Sequence, residues 1–183
     1  MRSRETARIA GVLFLITFIT SIPALWAFQP VLDDPAGYIA GVGHDNRIFF
    51  GGLLELLLIV ANVGTALVLF PILRRQNEIL SLGYVTARLV ESTFIAIGLV
   101  SVLAVVSLGQ DPASAASVGQ DAAGGGAGAG AVGVALAAIK DWTFLLGPGF
   151  IVGLGNGLIL GYLMYRSGLC HGRWPYWDSS GVL

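Results

Sequence analysis

Four apolar stretches in this chain are too long for the core of a water-soluble domain, and that constrains its fold more than any other feature. A helix rises about 1.5 Å per residue, so roughly 20 apolar residues cross a hydrocarbon layer about 30 Å thick. Residues 9–28 meet this length without a charge, 48–73 with Glu55 alone, 80–108 with Arg88 and Glu91, and 142–165 again without a charge. Each segment must close its own backbone hydrogen bonds in lipid, which makes it a helix. The predicted fold class is all-α: an integral membrane helical bundle of four transmembrane helices, one domain over residues 9–169. The first stretch exceeds a signal-peptide apolar region of about 7–15 residues, and residues 23–27 offer no small-x-small cleavage site. It reads as a retained helix with a kink expected at Pro23.

Sidedness follows from Lys and Arg in the short connections. Arg2, Arg4 and Arg8 precede the first span, Arg74 and Arg75 join the second to the third, and Arg166 and Arg173 follow the fourth. The other side holds Arg47 and Lys140 among six aspartates. Seven basic residues against two place both termini, residues 1–8 and the irregular tail 170–183, in the cytoplasm of a cell whose plasma membrane the chain crosses.

Charged residues make up 11% of the chain, less than half the usual share for a soluble domain. The net charge of −1 gives no electrostatic reason to bind nucleic acid. One cysteine, Cys170, excludes an intramolecular disulfide, and two distant histidines, His44 and His171, argue against a Cys/His metal site. No cofactor is expected. The Ala/Gly-rich stretch 110–133 lacks the strand, the helix and the Lys-Ser or Lys-Thr of a phosphate loop, so it is expected to be a flexible external loop.

Ionisable groups within a span cost about 2.5–3.5 kcal/mol each at mid-helix, so their placement carries information. By helix rise, Glu55, Asn62, Arg88, Glu91 and Asn156 all fall in the central half of the bilayer, between about 10 and 21 Å deep. Arg88 and Glu91 are three apart and can pair within one helix; Glu55 and Asn62 are seven apart on one face of another. A polar cluster joining spans two, three and four is predicted, with Arg88 between Glu91 and Glu55. Its formal charge of −1 leaves one carboxylate to be protonated or to hold a cation. Two readings stay open: a structural pair fixing helix register, or a proton-linked, cation-linked or small-molecule site using Glu55 and Glu91.

Gly149, Gly153, Gly157 and Gly161 recur every four residues along span four. Such a stripe admits a close backbone, either within the monomer, which is the expected use, or in a homo-oligomer. The lipid bilayer is the other expected partner. Enzyme chemistry is not expected. Gly153-Leu154-Gly155-Asn156 has Asn where an intramembrane aspartyl protease needs Asp, and Ser92 and Ser101 have no intramembrane base in reach.

Several motifs occur together in order: Ala7-Arg8-Ile9-Ala10-Gly11, Leu53-Leu54-Glu55, Phe70-Pro71-Ile72-Leu73-Arg74-Arg75, Arg88-Leu89-Val90-Glu91, Asp141-Trp142-Thr143-Phe144 and Gly161-Tyr162-Leu163-Met164-Tyr165-Arg166. Over Ala7 to Leu169 they resemble the bacterial multi-pass family known as domain of unknown function 4386. The resemblance implies a membrane bundle with one or two further spans after the fourth, so the tail after Leu169 reads either as a short interfacial segment or as the mark of a truncation or frame shift, which the resemblance favours. It implies no activity and no catalytic residue.

Overall fold

The computed structural model describes residues 3–42, 45–124 and 128–166. Every element in that range is helical. Helix α1 spans Ser3–Asp33 and continues through Pro23 and Pro30. A short turn of helix, α2 (Pro35–Gly37), is capped by Asp34, whose Oδ1 accepts the Gly37 N–H at 2.9 Å. A π turn at Tyr38–Val42 contains Gly41 at φ 98°, a left-handed conformation that favours glycine. The chain then returns as α3 (Asp45–Leu73) and, after a tight connection, as α4 (Glu78–Gln110). Asn77 caps α4 by accepting the Leu80 N–H at 3.1 Å.

The stretch expected to be a loop folds as helix α5 (Pro112–Gly124). Proline at its first position suits a helix start, and Asp111 Oδ2 accepts from the Ser114 N–H at 3.1 Å and hydroxyl at 2.6 Å. These bonds hold the exposed Asp111 carboxyl below the ordinary aspartate range. The fourth passage also begins earlier than predicted. Helix α6 covers Ala129–Phe144, a π segment covers Leu145–Gly157, and α7 covers Leu158–Arg166. The wider turn coincides with Gly147-Pro148-Gly149, where Pro148 has no N–H to offer an ordinary α-helical ladder. The tail from residue 167 onward, including Cys170, His171 and Arg173, lies outside the described residues, as does His44.

Among the described residues, four helical stretches are long and apolar enough to cross a membrane: residues 8–33, 46–73, 78–110 and 129–152. Their surfaces agree with that use. Phe18, Ile22, Val60 and Val100 are each at least 66% exposed, while Thr65, Ser81, Asn62, Arg88, Glu91 and Lys140 are buried. A water-soluble monomer rarely displays so much contiguous apolar surface. The chain is a multi-pass membrane protein.

Helices α1 and α3 pack lengthwise, α3 packs on α4, and α4 packs on both α6 and the π segment. Close approach is set by glycines. A Cβ at Gly51 would sit 2.8 Å from Ala27 Cβ; at Gly98, 2.6 Å from Thr143 Oγ1; at Gly147, 2.7 Å from Phe94 Cβ. The small-residue contacts therefore lie at these positions. The stripe named from sequence points elsewhere: Gly149, Gly157 and Gly161 are exposed, and nothing lies within 4 Å of a Cβ built on Gly161. A spacing of four marks a shared face but does not say which way the face looks. Two apolar cores result. One gathers Phe28, Val31, Ile39, Ile48, Val102 and Val105, and the other Ala66, Leu73 and Tyr84. Between these cores along α3 and α4 lies the polar layer.

Candidate functional site

Glu91 is the hub of that layer. Its Oε1 accepts from Asn62 Nδ2 at 2.9 Å, and its Oε2 accepts from Arg88 Nη1 at 2.9 Å and Asn156 Nδ2 at 2.7 Å. The three donors come from α3, from α4 itself and from the π segment, so one carboxylate ties three parts of the bundle together. All four residues are at most 5% exposed. The Arg88 guanidinium also lies 5.3 Å from the Phe14 ring of α1 and 6.0 Å from the Tyr84 ring. Cation–π contact at such distances offsets part of the cost of holding the guanidinium out of water.

Glu55 belongs to a different pair. Its Oε1 accepts from Nζ of Lys140, and both residues are buried. Lys140 Nζ sits 4.8 Å from the centre of the Phe28 ring, and Thr143 Oγ1 donates to the Lys140 carbonyl at 2.9 Å. The expected bridge from Arg88 to Glu55 is thus replaced by two separate pairs, Arg88–Glu91 and Glu55–Lys140. A span four that starts at Trp142 leaves Lys140 on the external side. In the fold it lies eleven residues inside a helix that begins at Ala129. With Lys140 included, the formal charge of the layer is zero rather than −1. The excess carboxylate that favoured a proton-linked or cation-linked reading has a partner.

One signal could have found Lys140. Gly130, Gly133, Ala137, Lys140 and Thr143 are the buried positions of α6, spaced three or four apart. That is one helical face, small at first and then polar, and it was readable in the sequence. Among the described residues no three His, Cys, Asp or Glu side chains come together. The Ser92 and Ser101 hydroxyls donate to carbonyls of their own helix, at Arg88 and Gly98.

A cavity of about 230 Å³ opens beside the hub. Phe14, Thr17, Phe18 and Ser21 of α1 form one wall, Leu58 and Asn62 of α3 the next, and Arg88, Glu91 and Ile95 of α4 the floor. Pro148 and Val152 of the π segment complete it. Within each helix these residues recur at three, four or seven, with Thr17 and Phe18 adjacent on α1, so each contributes a single face. A second cavity, about 20 Å³, adjoins it at Ser21, Leu58, Ile95 and Pro148 and is lined by Glu55, Lys140 and Thr143. That volume is about one water, and the polar groups around it suit one.

No curated protein and no solved structure matches this chain. A family model does, over residues 9–179, which spans all four candidate membrane helices, the Glu91 hub, the Glu55–Lys140 pair and both cavities. The chain belongs to the family described as domain of unknown function DUF4386.

Proposed function

We propose that this membrane protein binds a small molecule in the cavity beside Glu91, and that it does so without catalysing a reaction. The carrying observation is the cavity itself: about 230 Å³ at the level of the polar layer, with Asn62, Arg88 and Glu91 in its wall and apolar side chains over the rest. A concave, mainly apolar site with a few converging polar groups is the usual form of a ligand pocket. The Glu91 hub serves this role as architecture, since three donors from separate elements hold the polar wall in place. The absence of catalysis rests on the hydroxyls of Ser92 and Ser101, which are bonded to their own helix, and on carboxylates that are each engaged by cations.

We place the protein in the bacterial plasma membrane with both termini cytoplasmic. Moving Lys140 out of the external loop supports this orientation, because Arg47 then faces seven basic residues on the other side alone. Self-association through Gly149, Gly153, Gly157 and Gly161 remains part of the proposal, supported by the outward aspect of Gly149, Gly157 and Gly161.

Native mass spectrometry on protein extracted gently from its own membrane tests the binding role. The wild-type chain should carry a small organic adduct that Ser21→Phe, with its ring in the cavity, loses while keeping a cooperative thermal transition. A folded wild-type protein that carries no adduct, and that no member of a fragment collection stabilises, would overturn the reading.

A further inference from the structure

The walls of the cavity also restrict what enters it and from where. We infer that its ligand is a neutral, single-ring amphiphile that arrives sideways from the bilayer, between α1 and the π segment; this rests on the binding role proposed above.

Size sets the first limit. A cavity of about 150 Å³ is enough for benzene, and ordinary ligand pockets run from about 300 to 1,000 Å³. At about 230 Å³ this one admits a ring with a short substituent and excludes a folded acyl chain or a nucleotide. Phe14 and Phe18, one helical turn apart on α1, offer ring edges and faces for such a guest.

Charge sets the second. Arg88 is matched by Glu91 at 2.9 Å, and Lys140 is matched by Glu55. The hub carboxylate already accepts three hydrogen bonds. An ionised guest would bring a charge that no wall group is free to balance, at the cost of its full desolvation. A hydroxyl, carbonyl or amide adds no net charge and can still use the polar wall.

The route follows from the packing. Helix α1 lies along α3 and only brushes α4 and α6, whereas the π segment lies on α4. Among the described residues, α1 and the π segment are not among the closely packed helix pairs, so the side of the cavity between them is its least covered side. Phe18 of α1, 67% exposed, and Val152 of the π segment both line the cavity on this side. Both residues lie within candidate membrane spans, so the opening faces lipid.

The experiment uses the full chain in lipid nanodiscs and three probes of one shape: 4-iodophenol, iodobenzene and 4-iodobenzoate, at neutral pH. Equilibrium dialysis, corrected for partition into empty nanodiscs, should give 4-iodophenol at least tenfold tighter binding than either of the others. A ring-sized photoreactive probe that partitions into lipid, 3-trifluoromethyl-3-phenyldiazirine, should label inward positions such as Thr17, and excess 4-iodophenol should suppress that labelling. Equal or tighter binding of 4-iodobenzoate would overturn the charge argument. Labelling confined to outward residues such as Ile19 and Ile22 would overturn the lateral route. Failure of all three probes to bind would instead remove the binding role itself, which separates the two failures.

Discussion

At the scale of single residues, the bundle's buried charges are a set of exclusive partners. Glu55 has Lys140 and Glu91 has Arg88, with Asn62 and Asn156 adding neutral donors to the second pair only. Removing one member of such a pair strands the other in low dielectric, whereas removing both leaves an apolar contact of similar volume. Lys140→Met should therefore cost about 3–5 kcal/mol of stability, and adding Glu55→Leu should restore most of that loss. Reversible unfolding in mixed micelles, read as a double-mutant cycle, checks this; additive losses would mean that the pair does not form. The Arg88–Glu91 contact was legible in the sequence because both residues sit on one helix at a known spacing. The Asn62 and Asn156 contacts were legible only as a shared depth, since depth needs no knowledge of which helix faces which. The partner of Glu55 was not legible in that way, because Lys140 beside Asp141 and Trp142 has the look of a helix boundary. Alanine conceals the continuation: it is the best helix former yet only weakly apolar, so residues 131–140 read as a short helical lead-in rather than as part of the span.

At the scale of elements, contact between helices is governed by where a glycine meets a neighbour, rather than by how many glycines recur. Gly51→Ala would place a methyl 2.8 Å from Ala27 Cβ and 2.9 Å from the Phe28 ring, so α1 and α3 must part. A loss of about 1–3 kcal/mol is expected, the usual result of overpacking. Gly161→Ala meets nothing within 4 Å and should be neutral or stabilising by up to about 1 kcal/mol, from helix propensity alone. Thermal unfolding of the two variants side by side distinguishes packing from spacing. Helix α5 supplies a pH-dependent case. Because the Asp111 carboxyl is held below its ordinary range by Ser114, its cap favours the folded helix fully above the unfolded aspartate value of about 3.9. The contribution falls away as pH drops below that value. Amide exchange across residues 112–118, corrected for intrinsic rates, should show protection lost on acidification in the wild type and no such pH step in Asp111→Ala. The first three membrane helices were legible as elements from length and hydropathy, although α1 runs Ser3–Asp33, past both ends of the 9–28 expected of it. Helix α5 was not, because Ala, Ser and Gly suit a linker as well as a capped helix, and only the Asp111–Ser114 geometry decides between them.

At the scale of the whole molecule, apolar exterior, polar middle and basic connections combine into one arrangement in a membrane. An alkaline phosphatase fused after residue 120 should be active, since it would be exported, and one fused after residue 76 should be inactive. The opposite pattern would invert the proposed orientation. The paired charges also bear on how the bundle is made. Glu55 and Lys140 are separated by 85 residues. At about 5–20 residues per second of synthesis, the lysine follows the carboxylate by roughly 4–17 s. During that interval α3 carries an acid with no base to meet it, and it is poorly suited to leave the insertion machinery for open lipid. Until α6 arrives, that acid can be kept neutral by a proton. The ion pair is in this sense a late seal: the expected effect is that the early helices close fully only once the chain that carries the lysine has been made.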